Sequence, residues 1–229
     1  VFRLQLKQDD TLAVDNTGSV LSLARRDVKA LLVTSGNAFL EKALRSVPKL
    51  DLSVAASLTD PDPPVDVVIL DAVQPSAWPD GNVLAIHTQS TNWFRPSGTL
   101  EAPPIVDWKS THALLRFVNF DNVQLARATS ATLPSWMTPL VESPSAPLLA
   151  AGEHDGQRAV WMGFNPLDST WPLRVSFPIF VANAMDWLSP DVSTSLRAGE
   201  SFAIRMAEEE STVTVTLPDG NAEQAQTTS

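Results

Sequence analysis

The chain has 229 residues, with 16 basic and 26 acidic side chains, 9 Gly, 18 Pro and no Cys. At 44% hydrophobic and 18% charged it holds enough apolar residues for a sizeable core, which excludes a disordered or collagen-like chain. The missing Cys excludes disulfides, thiolate metal sites and cysteine nucleophiles, and the net charge of −10 argues against nucleic acid as the main partner.

The length suits one domain with appendages. Phe2, Leu4 and Leu6 alternate with Arg3, Gln5 and Lys7, the period-two pattern of a half-buried strand. Residues 11–14 and 19–23 read as two further short strands. Residues 28–33 form a continuous apolar run, the form expected of a parallel strand buried on both faces. After Thr34-Ser-Gly-Asn37, residues 39–47 show helical spacing, with Phe39, Leu40, Ala43, Leu44 and Val47 on one side.

Strands follow at 50–55, 66–71 and 82–87, and the texture from 117 to 164 is strand-like and Pro-interrupted, at 123–128, 147–151 and 159–164. Leu173, Phe177, Phe180, Ala184 and Leu188 fall at helical spacing, with Pro178 expected to start that helix late or kink it. Residues 212–217 read as a Val/Thr strand closed by Pro218-Asp-Gly220. Residues 191–229 hold seven acids and two bases, a net −5, which is half of the total charge.

Alternating strands and helical crossovers predict an α/β fold with a mostly parallel, flavodoxin-like sheet and helices on both faces, plus short β segments at both termini. The expected division is a β segment over 1–26, an α/β domain over 27–190 and a β-rich extension over 191–229. The first residues form no apolar leader, and the longest apolar run, 177–182, is far short of the roughly 20 residues of a spanning helix.

In an open α/β sheet, ligands sit beyond the carboxyl ends of the strands. That singles out Ser35 and Asn37, which could face an anion or cap a helix, and Asp71, an acid/base candidate or a loop-capping carboxylate. His87 ends a buried strand, as a general base often does, or is a hydrogen-bonded structural residue. Trp93 and Trp108 flank a Pro-containing loop and either cover a cleft or pack. Asp168 either pairs with Arg174 at the cleft, or Asp168 or Ser169 caps the last helix with Arg174 bridging to it. The three His show no metal-binding spacing, the Glu208-Glu-Glu210 run reads as a solvated turn, and no metal or cofactor is expected.

Read together, Asp66-Val-Val-Ile-Leu-Asp71, Gly81-Asn-Val-Leu-Ala-Ile-His-Thr-Gln89 and Trp161-Met-Gly-Phe-Asn-Pro-Leu-Asp168 resemble the class I glutamine amidotransferase fold. That family carries its nucleophile in a Gly-x-Cys-x-Gly elbow and completes the triad with a later His-Pro-Glu motif. The resemblance puts His87 where the Cys would be, Ala85 and Gln89 at the glycines, Asn165 for the His and Leu167 for the Glu. Every triad position is thus replaced. Independently, a nucleophilic mechanism needs an activated nucleophile, and the elbow holds neither Cys nor Ser.

Leu31-Leu-Val-Thr-Ser-Gly-Asn37, Phe39-Leu-Glu-Lys-Ala-Leu44, Gly163-Phe-Asn-Pro-Leu-Asp-Ser169, Trp171-Pro-Leu-Arg174 and Asp186-Trp-Leu188 extend the likeness. They look like the amidotransferase-like region of bacterial aerotolerance-type (Bat-like) membrane proteins, which carry a von Willebrand A domain. Residues 9–16 resemble the end of the β-sandwich that precedes that region. The resemblance implies a non-catalytic interaction or ligand-sensing module, bound to other domains or protein partners, in a soluble, extracytoplasmic region of a membrane-anchored parent. The alternative is a hydrolase or carbohydrate-processing enzyme using His87 with Asp71 or Asp168.

Overall fold

The structure, a computed structural model, describes residues 2–5, 17–20, 27–58, 64–90, 93–189, 212–216 and 222–226. The alternating start forms an antiparallel hairpin of β1 (Phe2–Gln5) with β2 (Thr17–Val20), Phe2 opposite Val20. The strand expected at 11–14 and the acidic run at 208–210 lie outside the described residues.

The predicted apolar runs become β3 (Val28–Thr34), β4 (Leu50–Ala55), β5 (Val67–Asp71) and β6 (Asn82–Ile86). Between β3 and β4 lies α1 (Ala38–Arg45), which buries Leu40, Ala43 and Leu44. Each buried Leu contributes about 1.5–3 kcal/mol. Asn37 is its cap, since Oδ1 accepts from Leu40 N–H at 3.1 Å, and Ser35 is exposed.

The middle of the chain adds β7 (Arg95–Glu101), β8 (Asp107–Trp108), β9 (Arg127–Thr132), β10 (Met137–Glu142), β11 (Pro147–His154) and β12 (Gln157–Met162). The strand expected at 123–128 starts four residues late, because Leu125 is buried as a loop residue joined by a single bridge to Ser169.

The last helix is α2 (Ser176–Leu188), with Pro178 in its first turn, where an N–H has no helical acceptor to lose. Neither Asp168 nor Ser169 caps it. The residue before the helix is Val175, and Ser169 Oγ instead accepts from Trp171 N–H at 3.2 Å.

Eight strands form one sheet in the order β4-β3-β5-β6-β12-β11-β10-β8. The run from β4 to β12 is parallel, and β11, β10 and β8 continue it antiparallel. The sheet is therefore mixed.

The expectation of helices on both faces is not met by the two described α-helices. Among the described residues α1 and α2 touch each other and pack on one face, against Leu32, Ile69, Leu84, Ile86, Val160 and Met162. The opposite face, with Val33, Val68, Leu70, Ala85 and Trp161, is covered by Phe94, Ala131 and half-buried Trp78, Trp93 and Trp136. Five-residue apolar strands bury both faces whatever covers them, so the sequence does not reveal which cover is helical.

Asn82, at the start of β6, ties the helical face down. Its Nδ2 donates to the Leu188 carbonyl at the end of α2 at 2.6 Å, and its Oδ1 accepts from Arg158 N–H at 2.8 Å. The chain divides into two units, 1–193 and 194–229. In the second, β13 (Thr212–Thr216) pairs antiparallel with β14 (Ala222–Gln226).

Candidate ligand site at the strand ends

Parallel pairing sets the C-terminal residues of four strands in one row: Thr34 beside Asp71, Asp71 beside Ile86, and Ile86 beside Met162. Next along β5 and β6 come Ala72 and His87, at φ +54° and +48°. Each adds one more ladder bond before the chain turns away, Ala72 N–H to the Ile86 carbonyl at 2.9 Å and His87 N–H to the Met162 carbonyl at 2.7 Å. A left-handed backbone at a residue with a Cβ costs about 1–2 kcal/mol. Two such residues lie side by side here, and neither is Gly.

Asp71 is buried and held by side chains from the end of β3. Thr34 Oγ1 donates to its Oδ2 at 2.6 Å and Asn37 Nδ2 to its Oδ1 at 3.2 Å. Thr34 Oγ1 also accepts from Gly36 N–H at 3.0 Å, in a turn where Gly36 takes φ +128°. Asp71 therefore fixes the entry to α1 and does not cap the loop that follows it. Buried Thr88 laces the next pair of turns, donating to the Val73 carbonyl at 3.0 Å, and Gln89 N–H donates to Gln74 Oε1 at 3.2 Å.

His87 is half-buried, with Nδ1 3.4 Å from the Gly163 carbonyl. In the neutral tautomer that lets Nδ1–H donate to this carbonyl, Nε2 is the acceptor nitrogen. Nε2 has no partner among the described residues. The Gly163 carbonyl also accepts from Thr129 N–H at 2.7 Å, so β9 crosses directly over the end of β12. Gly163 must lack a side chain, since a Cβ would stand 2.6 Å from both the Thr129 carbonyl oxygen and the Trp161 ring. The sequence singled out the turn Thr34–Asn37 without giving the Thr34 hydroxyl a role, and it did not single out Thr129.

The remaining candidates do other things. Asn165 Oδ1 accepts from Leu167 N–H at 2.9 Å, capping a single 3-10 turn over Pro166–Asp168, and Leu167 is exposed. Asp168 is exposed, and its carbonyl accepts from Ala126 N–H at 2.8 Å. Arg174 donates to the Asn122 carbonyl at 3.2 Å and does not pair with Asp168. Trp93 stacks against Trp78 on the helix-free face, with centroids 4.7 Å apart, whereas Trp108 packs on Phe120 in the helical-face core. The two tryptophans do not frame one cleft. Among the described residues no three His, Asp or Glu side chains converge as metal ligands.

No family model and no curated protein sequence matches this chain. Solved structures do. The cytoplasmic protein STM3548 from Salmonella typhimurium superposes with a TM-score of 0.56 at 10% identity, over 72% of this chain and 100% of that one. The cytoplasmic protein STM1381 from Salmonella typhimurium LT2 gives a TM-score of 0.53 at 10% identity, over 71% of this chain and 100% of that one. A ThuA-like protein from Parabacteroides merdae gives 0.46 at 12% identity, over 71% and 90%. At such identities the likeness shows the fold alone.

These findings correct the family assignment. The structures that superpose with TM-scores of 0.56 and 0.53 are the Salmonella proteins STM3548 and STM1381, not Bat-like von Willebrand A proteins, and no family model supports the latter. The motif residues behind that resemblance have structural duties here: Gly163 yields to Thr129, Asn165 caps a turn and Trp171 fills the core. Placement in an extracytoplasmic region of a membrane-anchored parent is corrected as well: STM3548 and STM1381, which superpose with TM-scores above 0.5, are cytoplasmic proteins. No described helix is long and apolar enough to cross a membrane.

Proposed function

We propose that the chain is a non-catalytic interaction or ligand-sensing module whose binding edge is the row of strand ends around His87. One observation carries the reading: His87 stands in a strained elbow, and among the described residues its Nε2 has no partner and no Cys or free Ser hydroxyl bonds to it. A catalytic base needs a reacting group or an orienting carboxylate beside it. The partners of Asp71 are Thr34 and Asn37, and those of His87 are backbone atoms. A recognition group needs only a fixed direction, which the elbow supplies. The lone pair suits a ligand that offers an N–H or O–H donor.

We also propose the division into a β segment over 1–26, an α/β domain over 27–190 and a β-rich extension over 191–229. It is supported by the sheet and its helices running from Val28 to Leu188, and by β1–β2 and β13–β14 forming separate hairpins.

The test pairs turnover with binding. The purified chain is assayed for glutamine and aryl-ester hydrolysis, and the imidazole resonances of His87 are followed by NMR while small amides and polyols are titrated in. The expected result is no turnover and a shift of the His87 resonances that His87→Ala removes from the spectrum. Glutamine hydrolysis that disappears in His87→Ala would overturn the proposal.

A further inference from the structure

The eight-stranded sheet ends in β4 on one side and β8 on the other. Exposed strand edges invite pairing with another chain, and folds blunt them with short strands, Pro or bulges. β8 has two residues, and the exposed strand β7 carries Pro96 and a bulge between Pro96 and Gly98. β4 has none of these devices. It runs for six residues, Leu50-Asp-Leu-Ser-Val-Ala55, in unbroken register with β3.

The ladder fixes which backbone groups of β4 lack a neighbour. Val28 N–H donates to the Lys49 carbonyl at 2.9 Å. Residues facing the neighbouring strand alternate, so Asp51, Ser53 and Ala55 also turn their N–H and C=O groups toward β3. Those of Leu50, Leu52 and Val54 therefore point outward, and among the described residues nothing bonds to them.

The side chains of the same three residues form a stripe on the helical face of the sheet. Leu50 and Leu52 pack half-buried against the core, whereas Val54 is 44% exposed. Asp51 and Ser53 stand exposed on the other face.

The order of these residues indicates the occupant. When a second β4 runs antiparallel to the first about a twofold axis at Leu52, Leu52 faces Leu52, and Leu50 faces Val54 of the other copy. These are the outward-pointing residues, so every unpaired N–H meets a carbonyl. Apolar side chains meet apolar ones, and exposed Val54 is covered by Leu50. Asp51 falls opposite Ser53 and Lys49 opposite Ala55, so no like charges face each other. A register centred on Asp51 would set that carboxylate against its own copy. One centred on Ser53 would leave Leu50 with no opposite residue in the strand. The edge is thus complementary to itself, as a twofold contact requires.

We propose that a second copy of this chain adds its β4 antiparallel to this edge, joining two sheets into one across a twofold axis at Leu52. The contact runs along the side of the sheet and does not depend on the function proposed for the strand ends around His87.

Sedimentation equilibrium of the 229-residue chain over a concentration series tests the proposal. The expected result is a monomer–dimer equilibrium whose constant follows the sign of the charge placed at exposed Ser53. Ser53→Asp meets Asp51 of the other copy twice and should raise the dissociation constant by at least about threefold, whereas Ser53→Lys should lower it by at least about threefold. Val54→Pro removes an outward N–H but no bond to β3, and should raise the constant by at least about tenfold with unchanged far-UV circular dichroism. Should Val54→Pro fail to fold, the two Ser53 variants still decide. A chain that stays monomeric throughout overturns the proposal, even if a strand of another protein binds the edge, and so does a dimer indifferent to the charge at position 53.

Discussion

Replacing His87 by Gly is predicted to leave the domain as stable as before or slightly more so, unlike most deletions of a half-buried side chain. At φ +48° an L-residue costs about 1–2 kcal/mol that Gly does not. Gly gives back about 0.5–1 kcal/mol through the greater freedom of its unfolded chain. The lost imidazole contact is long, 3.4 Å, and belongs near the low end of the net value of a hydrogen bond, about 0.5 kcal/mol. The Gly163 carbonyl keeps Thr129 N–H at 2.7 Å, so no buried acceptor is orphaned. The sum lies between about −0.5 and +1 kcal/mol of stabilisation.

His87→Val is the counter-experiment. It keeps the Cβ, adds a branch to it, and is expected to cost at least about 1 kcal/mol. In a domain of this size the two variants should differ in Tm by about 2–4 °C or more. Urea unfolding followed by Trp fluorescence, with calorimetry, reads both. A loss above about 2 kcal/mol in His87→Gly would refute the reasoning, because the imidazole would then be a packing residue and the strain no mark of a binding site.

Three further outcomes are expected. Asp71→Ala strips the acceptor from Thr34 and Asn37 and should cost about 3 kcal/mol, read as a lower urea midpoint. Gly163→Ala should cost about 1–3 kcal/mol because the new methyl meets the Thr129 carbonyl oxygen and the Trp161 ring at 2.6 Å; thermal unfolding checks this. Burial, and secondarily Lys109, hold the pKa of His112 below its usual value, and its Nδ1 accepts from Leu114 N–H at 3.3 Å. The unfolded chain therefore takes up this proton first, and stability falls as pH drops through about 6.5. A Tm-against-pH series should show that slope in the wild type and a shallower one in His112→Asn, which keeps an acceptor for Leu114.

The parts of this fold legible in the sequence were those with a strong hydrophobic pattern. The runs at 28–33, 67–71 and 82–86 have no other stable use than buried strands, and the 3.6-residue spacing from Phe177 to Leu188 is matched by α2. β7 left no such trace: Arg95-Pro-Ser-Gly-Thr-Leu-Glu101 is mostly exposed, and its ladder is made by β9, some thirty residues away. The elbow at His87 was placed from its strand-end position and from the amidotransferase resemblance, since no Gly marks its left-handed turn. Thr34 was placed by its strand-end position but its hydroxyl role was not, and Thr129 carried no signal, because it acts through a backbone N–H that any residue but Pro supplies. The Trp pair misled for a related reason. Residues fifteen apart in sequence landed on opposite faces of the sheet.

The arrangement around His87 also says what kind of chemistry the edge suits. On one side Asp71 is committed to Thr34 and Asn37; on the other, β9 lies over Gly163 and occupies its carbonyl. Thr88 and Gln74 tie the two turns between them. The neighbouring polar groups are thus engaged, while Nε2 of His87 has no partner among the described residues, on a backbone that cannot easily relax. A nucleophile site needs a second, mobile partner to pass a proton to. A recognition site needs one unmet group held rigidly among met ones, because the cost of leaving it unpaired is what discriminates a ligand that can donate from one that cannot. On this reasoning the absent cysteine is only part of what supports the proposal of a non-catalytic edge. The satisfied neighbours of His87 argue for the same conclusion.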